Sequence, residues 1–321
     1  MSGSARAAAG GVLFGKKYTG LKNEIDAFLE NNLPAFDAEG QKTLGEAMRY
    51  SVTAGGKRLR GVLAMAVSEM FDVIPELSRA PIESPSAPTR DSQVHDAVLT
   101  LAGALEYIHA YSLIHDDMPC MDDDDYRRGK PSCHKVYGEG MAMLAGDALL
   151  NLAFEILFEH SACESLISDS QECLLFAKAA SYIARAAGAG GMAGGQAIDI
   201  YADAESEAQL IYMHKLKTGR LFDAAVLAPA MYLRAGAGDL DALRKFSGAL
   251  GFAFQIKDDL SDAKSVDTVD EKRNYAALFG YSKAEQKLQE LYLEAIGSLD
   301  GLSRNADFLR YIVNFISGDF N

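Results

Sequence analysis

The residues that could do chemistry gather at three places. The first is His109-Ala110-Tyr111-Ser112-Leu113-Ile114-His115-Asp116-Asp117-Met118-Pro119-Cys120-Met121-Asp122-Asp123-Asp124-Asp125-Tyr126-Arg127-Arg128. Carboxylates about 4 Å apart repel by roughly 4 kcal/mol even at an effective dielectric near 20. A cation must therefore sit among them, and an all-oxygen ligand set selects hard ions such as Mg²⁺. The arginines beside it suggest that a phosphate completes the coordination of that ion. The second place is Gln255-Ile256-Lys257-Asp258-Asp259-Leu260-Ser261-Asp262. On a helix, Asp258 and Asp262 share a face at i, i+4, and Gln255 lies one turn before Asp258. The third is Gly55-Gly56-Lys57-Arg58-Leu59-Arg60, two glycines that let backbone approach a ligand, followed by three cations. If this segment enters a helix, Lys57 and Arg60 share a face and could grip a diphosphate. A helix start with a solvated basic turn is the plainer account of the same residues.

The elements that must carry these groups are helices. Val98, Leu101, Leu105, Ile108 and Ser112 follow the i, i+3, i+4 rule, and so do Ile25, Phe28 and Leu29. Alternating strand patterns bounded by turns are not found. His109, Ser112 and Asp116 fall on one face at i, i+3 and i+7. A histidine on an apolar helix usually satisfies the core, but here its face is shared with the aspartates, which favours ligand contact. Pro119 disfavours helix at Met118, so the chain can fold back and return Asp122 toward Asp116. His115 and His134 read as structural, and Asp123, Asp124 and Asp125 as a solvated loop. Ala-rich stretches at 141–158, 176–187 and 223–237 imply close helix–helix packing. Pro75, Pro81, Pro85 and Pro88 mark a solvent loop, and Gly188, Gly190, Gly191, Gly194 and Gly195 a second break. The class is all-α, a bundle of about ten helices by ordinary helix lengths. Residues 1–20 are small-residue-rich and read as a disordered lead, with a single helical domain over 21–321.

Composition narrows the partners. The 321 residues are 49% apolar and carry a formal charge of −14. That charge argues against nucleic acid and anionic membrane surfaces. The four cysteines lack metal-ligand spacing and read as reduced thiols of a cytoplasmic protein. No charge-free run reaches the roughly 18 residues that span a bilayer. A fourth motif, Lys215-Leu216-Lys217-Thr218-Gly219-Arg220, is by itself an ordinary helix end.

Taken together, these residues resemble the trans-isoprenyl diphosphate synthase family over roughly residues 45–280. The resemblance rests on G-G-K-R-L-R, on S-L-I-H-D-D-M-P-C-M-D with R-R-G after it, on G-G-Q-A-I-D at Gly194–Asp199, on K-T-G and on F-Q-I-K-D-D-L-S-D. The first acidic motif looks like that of bacterial farnesyl and type II geranylgeranyl synthases. The resemblance implies the all-α isoprenoid synthase bundle with a central cavity, usually as a homodimer. It implies that Asp116, Asp122 and Asp258, supported by Asp117, Asp259 and Asp262, hold three Mg²⁺ ions, or Mn²⁺ in their place, on an allylic diphosphate. Arg127, Lys217 and Lys272 would bind the same dimethylallyl or geranyl diphosphate. Gly56, Lys57, Arg60, His109 and Arg128 would hold isopentenyl diphosphate, and Lys217, Thr218 and Gln255 would lie beside the developing carbocation. Tyr111, five residues before Asp116, would floor the product pocket and stop growth mainly at farnesyl diphosphate. The alternatives are a geranylgeranyl or geranyl diphosphate synthase, a non-catalytic partner subunit, or a class I cyclase. The isopentenyl-site residues argue against the cyclase. The chain departs from the family after Asp262, where the loop is shorter and the usual K-x-T-Y-P is replaced by Lys272-Arg273-Asn274-Tyr275-Ala276.

Overall fold

The structure, a computed structural model, describes residues 3–71, 89–163, 169–201, 206–262 and 274–318. The proline-rich loop, the shortened loop with Lys272 and the last three residues lie outside the described residues. Among the described residues there are fourteen α-helices and one two-residue hairpin, so the class is all-α as expected. The count exceeds ten, and two of the helices, Cys133–Tyr137 and Tyr275–Phe279, are only five residues long. Gly138 and Gly280, both at positive φ, follow them and stop them after one turn.

The chain divides into two compact units. The N-terminal unit comprises Gly15–Met65 and Val73–Phe176, and the C-terminal unit Met1–Phe14, Ala66–Asp72 and Ala177–Asn321. The first helix, α1 (Gly3–Asn31), runs through much of the segment whose composition suggested a disordered lead. Within it Tyr18 is buried and donates its hydroxyl proton to the Lys57 carbonyl at 2.6 Å. Next come α2 (Glu39–Val52), α3 (Leu59–Glu69), α4 (Arg90–Asp116), the hairpin β1 (Tyr126–Arg127) and β2 (Lys130–Pro131), α5 (Cys133–Tyr137) and α6 (Glu139–Ser161). α4 is the spine of the N-terminal unit. It packs along α6, and α2 packs on α4, α5 and α6. Val98, Leu101, Leu105 and Ile108 are fully buried on it, as their spacing required. Gly103 lets α1 approach, since a Cβ there would lie 2.3 Å from the Phe28 ring.

The C-terminal unit is built on α11 (Ala237–Asp262), which packs against α10 (Arg220–Tyr232) and α13 (Tyr281–Ser298). Around it stand α7 (Ser170–Ala187), α8 (Met192–Tyr201), α9 (Glu207–His214), α12 (Tyr275–Phe279) and α14 (Asp307–Ser317). Ala224, Ala225, Ala228 and Ala230 on α10 are all buried. A Cβ on Gly251 would sit 3.2 Å from the Gly219 Cα, so small residues set this helix spacing. Two helices, α4 and α6, are long and apolar enough to cross a membrane. The apolar window of α4 is 78% buried within the protein, as a core helix should be.

One buried ion pair ties the N-terminal unit together. Arg58 donates to Asp26 Oδ1 at 2.7 Å and to the Val52 carbonyl, and lies 3.8 Å from the Glu106 carboxylate. Glu106, 2% exposed, also accepts the Gly61 amide at 2.9 Å. A charge so buried is tolerable only when compensated. Glu106→Ala should therefore cost about 3–5 kcal/mol. The denaturant midpoint should fall while the slope of the transition stays unchanged.

Candidate active site

In the N-terminal unit, α4 delivers the acidic motif and Pro119 ends it. The chain turns at once, with the Met121 amide on the Met118 carbonyl at 2.8 Å and the Asp122 amide on the Asp116 carbonyl at 2.9 Å. The fold-back brings the backbones of Asp116 and Asp122 together. Asp117 is used differently. It is buried, and its Oδ1 accepts both Nε–H (2.7 Å) and an NH2 proton from Arg127, which also reaches Asp124 Oδ2 at 2.6 Å. Burial raises the Asp117 pKa, and Arg127 opposes that rise.

The Arg127 anchor sets the hairpin. Arg128 and Gly129 form its two-residue turn at φ 54° and 74°, the positive pair that a type I′ turn demands. Arg128 is thereby carried to the glycine pair, where it donates to the Gly55 carbonyl. A Cβ on Gly56 would meet its guanidinium at 2.8 Å, and the φ of Gly56 is +125°. Here the structure differs from the helical grip expected of Lys57 and Arg60. The helix starts only at Leu59, Lys57 precedes it and is exposed, and Arg58 at φ 51° turns inward to Glu106. Arg60 is buried on the first turn of α3. His109 completes this cluster. Desolvation, then Arg60, Arg128, Arg58 and Arg127 in turn, push its pKa well below the ordinary histidine value, so it stays neutral. Four guanidiniums around a neutral imidazole make a strongly electropositive site for an anion. Arg127 and Arg128 also line a cleft whose walls include Ala54, Asp117 and Lys130.

Tyr111 is buried one turn before His115 and packs edge-on against its ring at 5.7 Å. Burial and then Asp116 push its phenol up to about 12. His115 rests on α6 where Gly146 leaves room, and its Nε2 is 3.2 Å from the Met143 carbonyl.

In the C-terminal unit, Lys215–Gly219 form one turn of π-helix between α9 and α10. Such turns cluster at functional sites because they leave a side chain and a carbonyl out of register. Gly195 on α8 permits it, since a Cβ there would lie 2.2 Å from the Lys217 amide nitrogen. The close approach places Lys217 Nζ against Asp199 Oδ2 at 2.5 Å. Thr218 donates to Gln255 Oε1 at 2.8 Å, and Gln255 Nε2 donates to Asp259 Oδ1 at 3.0 Å. Asp259, buried, also accepts the Tyr275 amide at 2.7 Å. Asp259 therefore fastens α11 to α12, whereas its neighbour Asp258 is exposed.

Sequence reasoning missed Asp199, although it closes the quoted G-G-Q-A-I-D motif. It missed Glu106 as well, an acid set inside an apolar helical run. The π-turn has no sequence signature. His214, next to that turn, has its pKa lowered to about 4, chiefly by burial. The unfolded chain takes up protons below about pH 6.5 where the folded one does not. Stability is thus complete above pH 6.5 and lost as pH falls from there toward 4. The part owed to His214 is on the order of 3 kcal/mol. A His214→Asn variant should show a flatter acid limb in denaturant midpoints measured against pH, as should His109→Asn.

With this geometry in place, comparison with known proteins is direct. Residues 41–278 match the family model for polyprenyl synthetase. Farnesyl diphosphate synthase of Bacillus subtilis (strain 168) is 34% identical over 318 residues, 92% of this chain and 99% of that protein. Farnesyl diphosphate synthase of Escherichia coli (strain K12) is 38% identical over 278 residues, 81% and 83% of the two chains. The crystal structure of an FPP/GFPP synthase from Zymomonas mobilis, in its apo form, is 36% identical. It superposes with a TM-score of 0.79 over 95% of this chain and 99% of that one. The chain belongs to the polyprenyl synthetase family.

Proposed function

We propose that this protein joins isopentenyl diphosphate head-to-tail to dimethylallyl and then geranyl diphosphate, releasing diphosphate and making mainly (E,E)-farnesyl diphosphate. The observation that carries the reading is the guanidinium cluster around neutral His109, beside two glycines at positive φ. Guanidiniums bind diphosphate oxygens through paired N–H bonds. In this reading Gly56, Lys57, Arg60, His109 and Arg128 hold isopentenyl diphosphate. Arg127 and Lys217 bind the allylic diphosphate, together with Lys272 from outside the described residues.

Asp116, Asp122 and Asp258 would hold Mg²⁺. The donor set fits, being carboxylate oxygen alone, and the Asp122 amide bond to the Asp116 carbonyl ties the two residues together at the end of α4. When bound, the metal, three ions in the family pattern with Mn²⁺ able to substitute, neutralises the departing diphosphate. Asp117 and Asp259 orient their neighbours, and Asp262 adds a third carboxylate to its helix end. Breaking the allylic C–O bond leaves a carbocation that must meet a π bond before water. Thr218 Oγ, Gln255 Oε1 and the π-turn carbonyls supply oxygen dipoles to that cation. Asp199 holds the Lys217 ammonium in place. The isopentenyl double bond attacks, and the released diphosphate takes the proton, so no side-chain base is required. A cytoplasmic homodimer belongs to the same reading. None of the four cysteines is in a disulfide, and α6 leaves Met143, Leu144 and Phe158 exposed for a second copy.

Incubation with isopentenyl diphosphate, Mg²⁺ and either primer, followed by phosphatase treatment, should yield mainly the C15 alcohol. No alcohol from any primer would sink the proposal. Tyr111→Ala should shift the products to longer chains, and an unchanged spectrum would remove Tyr111 as the floor. Gly56→Ala, by displacing Arg128, should raise KM for isopentenyl diphosphate about 10–100-fold, with an unaltered circular dichroism spectrum.

A further inference from the structure

A second cluster of ligating groups lies in the N-terminal unit, apart from the carboxylates of Asp116 and Asp122. One ring nitrogen of His134 and one carboxylate oxygen each of Asp123 and Asp125 lie within 4.8 Å of one another. The aspartates are exposed, and His134 is only 6% exposed.

The Ser132 hydroxyl bears on the state of the imidazole. Ser132, itself buried, precedes α5, and its hydroxyl sits between two partners. Its Oγ donates to the Asp125 carbonyl at 3.3 Å and lies 3.2 Å from His134 Nδ1. When the Ser132 hydroxyl donates to the Asp125 carbonyl, Nδ1 carries the ring proton and donates to Oγ. Nε2 is then the nitrogen with a lone pair, and it is buried with no hydrogen-bond partner. A buried acceptor without a donor costs about 1–3 kcal/mol. A Lewis acid removes that cost. Metal-bound histidines show this same arrangement, the second ring nitrogen donating to an oxygen that fixes the tautomer.

We infer that Asp123, Asp125 and His134 Nε2 form a site for a divalent transition-metal ion, Zn²⁺ being the representative, distinct from the carboxylate-only set at Asp116 and Asp122. One imidazole with two carboxylates suits Zn²⁺, whereas Mg²⁺ prefers oxygen alone. The ion would pin the loop between α4 and α5 at the residue after Asp122. Lys135 Nζ pairs with Asp125 Oδ1 at 2.6 Å, so the lysine competes with the metal for one oxygen and leaves the other.

The test is a Zn²⁺ titration of the whole chain against a chromophoric chelator, with millimolar Mg²⁺ present to occupy carboxylate-only sites. One Zn²⁺ per chain is expected. Affinity should fall at least about tenfold in His134→Gln and in Asp123→Asn, the lower bound of what losing even a supporting hydrogen-bond partner costs. It should rise in Lys135→Gln and hold in an Asp116→Asn, Asp258→Asn double variant. Should His134→Gln fail to fold, the exposed-residue variants Asp123→Asn and Lys135→Gln decide alone. Binding that survives Asp123→Asn, that vanishes in the double variant, or that depends on the exposed thiol of Cys120 in Cys120→Ser would overturn the inference. Absence of stoichiometric Zn²⁺ would do the same.

Discussion

The two bonds from Arg127 to Asp117 are the constraint on which the N-terminal site rests. They fix a hairpin of two residues a side, far too short to be stable alone. The anchor sets the turn, the turn aims Arg128, and Arg128 rests on Gly56. Each step is covalently short, so an error at Asp117 reaches the glycine pair undiminished. The same pairing also settles an electrostatic problem. Arg127 and Arg128 stand near Arg58 and Arg60, and Asp117 with Glu106 supplies the buried counter-charge that lets four guanidiniums gather. The net charge of the chain is −14, yet four guanidiniums act together on His109.

The C-terminal unit solves its positioning problem by close approach rather than by ion pairs. Gly195 brings α8 onto the π-turn, and Gly251 brings α11 to Gly219. Any larger side chain at Gly195 would drive a methyl group into the Lys217 backbone. Lys217 can then reach Asp199, and Thr218 can reach Gln255. The line Thr218–Gln255–Asp259–Tyr275 runs through three elements and ends on a backbone amide, so each polar group in it has a partner.

Much of this was readable in advance where periodicity or a spacing rule applies. The apolar face of α4 and the fold-back after Pro119 follow from local rules that act within a few residues. The failures have a common cause. Lys57 and Arg60 share a face only if a helix runs through both, and four residues of sequence cannot show that Gly55, Gly56 and Arg58 all take positive φ. Arg58 resembled its neighbours in sequence and differs because Glu106, far along the chain, offers it a buried partner.

The sequence by itself determined the all-helical class, the family and the short stretches that carry its chemistry, because those depend on residue type and spacing along one chain. Only the tertiary structure decided what Asp117 and Asp259 bind. Asp117 and Asp259 are bonded to Arg127 and to the Tyr275 amide, while Asp116 and Asp258 hold the same place in an Asp-Asp doublet. Adjacent aspartates are chemically identical, and what separates them is the direction each side chain takes once the helix is packed. That direction is set by partners distant in sequence.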